Sequence, residues 1–175
     1  MQKGKKILAE EEIKAIVEQL SEDVRKTMDS RNLVIVGIRR RGVELARRIQ
    51  RKLQGSGGEI PFGTLDITLY RDDLSTVSVQ PVVQRTELLL DLTGRDILLV
   101  DDVLYTGRTI RSALSELVDF GRPRRVRLLV LIDRGHRELP IQPDYTGRFI
   151  QTEGRQFVEV RLKEIDGEDK VLLID

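Results

Sequence analysis

Asp101 and Asp102 stand side by side after a run of aliphatic residues, and Thr106-Gly107-Arg108-Thr109 follows shortly after, the whole reading ILLVDDVLYTGRT over 97–109. Adjacent carboxylates repel, so the pair costs energy unless a cation or hydrogen-bond donors stand beside it. The turn after them has the parts of an anion site: backbone N–H groups at the start of a helix, two hydroxyls, and a glycine that permits close approach. A phosphate pocket next to hydrogen-bond-accepting carboxylates suits a phosphorylated sugar. Its phosphate enters the turn, while its vicinal hydroxyls, or a metal bound to them, meet Asp101 and Asp102. Magnesium is the metal expected, because it prefers carboxylates, waters and phosphates to a closed protein cage. The plainer alternative is that Asp102 opens a loop and Thr106 or Thr109 caps a helix. VGIRRRG at 36–42 offers a second anion site, with amides and arginines after another aliphatic run; an ordinary loop with exposed arginines fits that stretch equally well.

Elements must hold these residues in place. Ile13, Ile16, Val17, Leu20 and Val24 form a helical stripe over about 10–28, with three glutamates near its start that suit the helix dipole. LVIVGI at 33–38 is a short continuous apolar run, the pattern of a strand buried on both faces. A turn at 39–42 leads to a helix over 43–53, which GSGG at 55–58 stops. Leu65, Ile67 and Leu69 alternate with Asp66 and Thr68, predicting a half-buried strand that ends near Tyr70. Residues 71–95 read as a long mobile excursion or a small hairpin. The next strand ends at the two acids. The helix after it carries Ile110, Ala113, Leu114, Leu117 and Val118 and stops at Gly121, and 126–132 is another buried strand. Strand and helix alternating in this way predict a parallel sheet with right-handed crossovers, whose ligands sit beyond the carboxyl ends of the strands. In the last stretch, FVEVRL and KVLLI around EIDGED predict a short antiparallel addition at one end of the sheet.

The totals narrow the chemistry further. A length of 175 residues suits one domain, 1–175, with a good core. There is no cysteine and one histidine, His136, so a thiolate site, a His-cluster metal site and most triad chemistry are excluded. No apolar run approaches a membrane span, and the lysine-rich start lacks the apolar stretch of a signal peptide, so no membrane partner and a cytoplasmic location are expected. The net charge of +1 does not point to nucleic acid, although arginines and lysines crowd 39–52 and 122–127. Such runs are usually solvated faces.

ILLVDDVLYTGRT resembles the phosphoribosyl-pyrophosphate motif of the type I phosphoribosyltransferases. LDITLYRDDL (65–74), GRPRRV (121–126), DRGHRELPI (133–141) and VGIRRRG extend the resemblance over nearly the whole chain, to the bacterial pyrimidine-operon attenuation regulators that are also uracil phosphoribosyltransferases. The resemblance implies an α/β fold, a central and mostly parallel twisted sheet flanked by helices, with a flexible loop over about 71–95 and a small C-terminal hood over about 134–175. It implies conversion of uracil and phosphoribosyl pyrophosphate to UMP and pyrophosphate with Mg²⁺, and UMP-dependent binding of pyrimidine-operon leader mRNA. A sensor with little activity, or an enzyme that has lost leader recognition, are the variants of that theme.

The same resemblance assigns residues. Asp101 and Asp102 would engage the ribose hydroxyls and, through them or water, the metal, with Arg71 of the loop as a further catalytic residue. Thr106, Gly107, Arg108 and Thr109 would bind the 5′-phosphate. Ile38, Arg39, Arg40 and Arg41 would form the pyrophosphate loop, where related enzymes use an unusual peptide conformation. Val103 and Tyr105 would also line the substrate, with Asp133, Arg134 and the backbone near Val158 at the uracil. His136, Arg137 and Arg148 would face RNA. Tyr105 stands where purine-using relatives place an acid, which argues against base-assisted purine chemistry. Three positions depart from several family members: Arg40 replaces a threonine, Ser21 lies near a first-helix histidine, and Gln142 replaces a basic residue. A homodimer at least is implied, with tetramers also found in the family.

Overall fold

The computed structural model describes residues 4–55, 58–67 and 87–175. In chain order these form strand β1 (Lys5–Leu8), helix α1 (Glu10–Thr27), β2 (Leu33–Ile38), α2 (Arg41–Leu53), β3 (Phe62–Leu65), β4 (Asp96–Leu104), α3 (Arg108–Leu117), β5 (Arg125–Asp133), β6 (Tyr145–Phe149), β7 (Phe157–Arg161), the short α4 (Lys163–Asp166) and β8 (Lys170–Ile174). Five strands pair in the order β3-β2-β4-β5-β6, every pair parallel. The chain moves outward from β2 to β3 on one side and from β4 to β5 and β6 on the other. The direction of winding therefore reverses between β2 and β4, which is where such sheets open a crevice for ligands.

The aliphatic runs are uninterrupted because both faces of the sheet are covered. Ile35, Leu98, Val100, Leu129 and Leu131 pack with Ile13, Val17 and Leu20 of α1 and Leu45 and Ile49 of α2. Their neighbours Val34, Val36, Ile97, Leu99 and Val130 pack with Ile110, Ala113 and Leu117 of α3. Each such Leu or Ile removed from water contributes roughly 2 kcal/mol. A second sheet, β1-β8-β7, is antiparallel and adds Leu8, Val158, Val160 and Val171 to the α1–α2 side.

Several expected boundaries shift. β4 does not end at the acids but continues to Leu104, because its backbone stays in register with β5, pairing Asp101 with Val130 and Leu104 with Asp133. Helix α2 begins at Arg41 rather than at 43. The strand expected from Leu65 onward instead ends there: Phe62–Leu65 pairs with 35–38 of β2, and 68–70 lie outside the described residues. Of the 71–95 excursion, 71–86 also lie outside them, Arg71 included. Its end is packed, with Glu87 bridging to Thr64 and Leu88 and Leu92 buried. The stretch assigned to the hood divides: β6 joins the main sheet beside β5, whereas β7 and β8 pair antiparallel as expected but in a separate sheet, with the unanticipated β1 as its third strand, rather than at one end of the main one. Among the described residues no helix is long and apolar enough to cross a membrane.

Both basic runs are largely tied down by acids. Arg48 binds Glu164 and Asp169, Arg41 binds Asp166, and Lys52 binds Glu18. At the amino end of β4, Asp96 is fully buried and receives Arg124 at 2.8 and 2.6 Å and Arg125 at 3.0 Å. The hydrogen bond from Arg124 leads the effects that hold the Asp96 carboxyl at about 2, against the penalty of burial. A depressed carboxylate pKa stabilises the fold above the unfolded value and loses that contribution as pH falls through the folded one. The contribution of Asp96 is thus expected to fade between about pH 4 and pH 2. Asp96→Asn should cost about 3 kcal/mol at neutral pH, with the gap to the unmodified protein closing across that window in urea-unfolding titrations. A gap independent of pH would show that another group is responsible.

Candidate active site

Three strand ends converge at the carboxyl edge of the main sheet. Ile38 closes β2, fully buried, and the next peptide, between Arg39 and Arg40, is cis. The N–H of Arg39 donates to the carbonyl of Leu65 at 2.9 Å, which ties this turn to β3. Arg40 is exposed. Arg41, which opens α2, reaches Asp166 with Nε at 3.1 Å and Nη2 at 2.8 Å. Burial alone would raise the Asp166 carboxyl, but the hydrogen bonds from Arg41 and the N–H of Leu162 bring it below its usual range. Asp102 also contributes to the field that raises Arg41. Gly42 explains how the turn comes so near the acids. A Cβ there would fall 2.7 Å from the carbonyl oxygen of Val100 and 3.2 Å from Oδ1 of Asp101. Helix α2 therefore begins with its backbone seated directly on β4.

The two acids occupy unlike positions. Asp101 is 1% exposed, and its Oδ1 accepts the N–H of Asp102 at 2.9 Å. Asp102 is half-buried. Beyond β4, Gly107 takes a φ of +93° at the N-cap of α3, a conformation natural to glycine. The opening is compact: Thr106 Oγ1 accepts the N–H of Arg108 at 3.3 Å, and a Cβ on Gly107 would meet Ile141 at 3.0 Å. The first-turn amides of α3 have no acceptor within the helix, so this end offers donors to an anion. Arg108 extends away to Glu138 at 2.8 Å, and Thr109 is half-buried in the first turn of the helix.

The third end is that of β5. Asp133 accepts the N–H of Gly135 at 3.0 Å on Oδ1 and Nη2 of Arg137 at 2.6 Å on Oδ2. Arg134 is 5% exposed and lies 4.0 Å over the ring of Tyr105, with hydrogen bonds to Thr152 Oγ1 and the carbonyl of Gln156. Burial lowers the pKa of its guanidinium, and Tyr105 opposes that shift. His136 meets Tyr105 edge to face, with ring centroids 5.9 Å apart and the planes at 68°, and its Nε2 meets the carbonyl of Thr152 at 2.7 Å.

The residues singled out from the sequence thus gather mainly at one edge: 38–41, 101–109 and 133–137. Val103 packs against the α1–α2 core, and Val158 is buried in β7, which lies against β4. Arg148 is placed apart, lining a cavity of about 290 Å³ between β6 and α1 with Glu12, Gln19 and Asp23. Ser21 is buried, its hydroxyl bound to the carbonyl of Val17 at 2.7 Å, so its side chain faces the core. Gln142 is exposed. Asp166, Thr152 and Gln156 carry no local signal as partners of Arg41, Arg134 and His136, since none is a near neighbour along the chain. For a metal, no cluster of three or more acids and histidines is present among the described residues. Asp101 and Asp102 fit a hard cation that keeps waters and ligand oxygens as most of its shell.

Residues 3–165 match the family of the phosphoribosyl transferase domain. The bifunctional protein PyrR of Pelotomaculum thermopropionicum is 52% identical over 155 residues, covering 88% of this chain and 86% of the relative. That of Deinococcus radiodurans is 48% identical over 171 residues, covering 97% and 93%. Among solved structures, a hypoxanthine phosphoribosyltransferase of Staphylococcus aureus superposes with a TM-score of 0.73 at 22% identity, over 98% of this chain and 92% of that one. A hypoxanthine-guanine phosphoribosyltransferase of Bacillus anthracis gives 0.73 at 14%, over 100% and 99%. These two likenesses show the shared fold. With its parallel sheet, its acids at the switch point and half-identical relatives over most of its length, the chain belongs to the phosphoribosyltransferase family and, within it, to the bifunctional PyrR proteins.

Proposed function

We propose that the protein transfers the phosphoribosyl group of phosphoribosyl pyrophosphate to uracil, releasing pyrophosphate and forming UMP. The observation that carries this reading is the meeting of the acid pair with two anion-suited turns, at 39–41 and 106–109, across the β2–β4 switch point. In this arrangement the 5′-phosphate enters the Thr106–Thr109 turn, where α3 offers its first amides. Asp102, with Asp101 behind it, accepts hydrogen bonds from the ribose hydroxyls. The pyrophosphate lies toward Arg39, Arg40 and Arg41. Uracil occupies the space bounded by Tyr105, Asp133, Arg134 and the edge of β7 near Val158. The N1–C1′ bond forms as the C1′–oxygen bond to pyrophosphate breaks, and the N1 proton is lost. The transition state is oxocarbenium-like, so anionic groups near the ribose and neutralisation of the leaving group matter most. Magnesium held through Asp101 and Asp102, by water or ribose oxygens, would neutralise charge on the departing pyrophosphate.

Purified protein with magnesium, phosphoribosyl pyrophosphate and uracil is expected to form UMP and pyrophosphate, and to form little IMP from hypoxanthine. Tyr105 presents no carboxylate to a purine imidazole. Absence of UMP with all components present would defeat the assignment. The name of the relatives supports a second activity, and for it we propose UMP-dependent binding of a pyrimidine-operon leader RNA by an oligomer, a dimer at least. Arginine contacts to RNA phosphate would give salt-sensitive affinity, and discrimination must come from base edges. A leader RNA bound no better than its scrambled sequence, with UMP present at moderate salt, would remove this half.

A further inference from the structure

Arg137 is part of the loop that the sequence reading assigned to RNA, yet its guanidinium points inward. Nε donates to the carbonyl of Ile141 at 2.8 Å, Nη1 to the carbonyl of Tyr105 at 2.8 Å, and Nη2 to Oδ2 of Asp133 at 2.6 Å. Those acceptors sit on three different segments: the residue before the Thr106 turn, the last residue of β5, and the stretch that packs against Gly107. The same segments meet through the backbone, since the N–H groups of Glu138 and Leu139 donate to the carbonyl of Thr106 at 2.9 and 3.2 Å. Ile141 is the side chain that a Cβ on Gly107 would touch. One planar cation with fixed donor directions thus spans the phosphate turn and the base-side carboxylate. Lysine, a point donor on a flexible stem, reproduces the charge without the fork.

We infer that Arg137 is a positioning residue of the transferase site, holding the Tyr105–Thr106 turn and the Asp133 carboxylate in fixed relation so that phosphate and base are gripped at the right separation. The inference rests on the proposed transferase reading. It assigns to Arg137 a function in nucleotide binding that does not require RNA. Three of its five N–H groups are committed inside the protein, and the positioning role stands whether or not the remaining two meet RNA.

The test uses the intact protein without RNA. UMP affinity is measured by calorimetry, and steady-state synthesis of UMP is measured for the unmodified protein, Arg137→Ala, Arg137→Lys and, as control, Arg122→Ala, an exposed arginine at the far end of the sheet. Removing charge-assisted hydrogen bonds to three segments should weaken UMP binding and lower kcat/KM by about 10- to 100-fold in Arg137→Ala. Arg137→Lys should recover part of this, and added guanidinium ion should restore part of the activity of the alanine variant. Arg122→Ala should behave as the unmodified protein. If Arg137→Ala fails to fold, the lysine variant decides, with an intermediate loss of UMP affinity expected. UMP affinity and kcat/KM within twofold of the unmodified protein in the folded variant would overturn the inference. A failure of the transferase reading itself is distinct, because the unmodified protein would then form no UMP.

Discussion

Replacing Asp102 by asparagine is expected to lower kcat/KM for UMP formation by about 100- to 1000-fold while leaving the unfolding transition in place. Among the described residues the Asp102 carboxylate accepts no hydrogen bond, and it is half-buried at the ligand edge. Its charge therefore contributes little to holding the fold. Asp101 is the contrasting case, buried and fastened to the N–H of Asp102. Asparagine keeps the size of Asp102 but removes its charge and replaces one acceptor oxygen with a donor nitrogen. Ribose hydroxyls then lose an acceptor, and positive charge developing at C1′ loses an anion close by. Both losses grow toward the transition state, so the effect should be concentrated in kcat rather than in KM. Steady-state kinetics with a parallel thermal melt check this. Turnover within threefold of the unmodified protein would place the reacting ribose elsewhere.

The sheet was legible wherever burial was complete. LVIVGI and the run before Asp101 are continuous because helices cover both faces, and the structure places both as central strands of the sheet. The stripe of α1 was equally plain, since the helix buries only one side. Two edge strands, β6 and β1, were not legible. YTGRF has one buried residue, Tyr145, so β6 shows neither a continuous run nor a clean alternation. KKIL is four residues long, and its partner, β8, lies at the other end of the sequence. The site divided along similar lines. Residues that follow one another on a strand-to-helix turn carry their chemistry in their spacing, so Asp101, Asp102 and Thr106–Thr109 stood out. Pairings between distant segments leave no local trace: Arg41 with Asp166 and Arg137 with Tyr105 became visible only once the chain was folded. The arginine runs likewise looked like open surface and proved to be seams, because their acidic partners are supplied by β4, α1 and the α4–β8 turn.

Gly42→Ala gives a test in which two physical effects carry opposite signs. Gly42 is the second residue of α2, where alanine, by helix propensity alone, would stabilise the protein by up to about 1 kcal/mol. The added Cβ, however, would fall 2.7 Å from the carbonyl oxygen of Val100 and 3.1 Å from Cα of Asp101. Both contacts are to backbone, so no flexible side chain can move aside. β4 is fixed between β2 and β5, and α2 is held from its other side by Arg41 on Asp166 and Arg48 on Asp169. The overpacking term should win, giving a net destabilisation of about 1–3 kcal/mol. Any relief of the contact lifts the start of α2 off β4 and carries the 39–41 turn away from the acid pair. A displacement on the order of 1 Å between groups that must act on one substrate costs about 100-fold in rate. The variant should therefore lose both stability and UMP synthesis, measured by urea unfolding and by kcat/KM on the same preparation. A variant more stable than the unmodified protein, with full activity, would mean that α2 and β4 have room between them, and the close approach at the switch point would no longer explain how the arginine turn reaches the carboxylates.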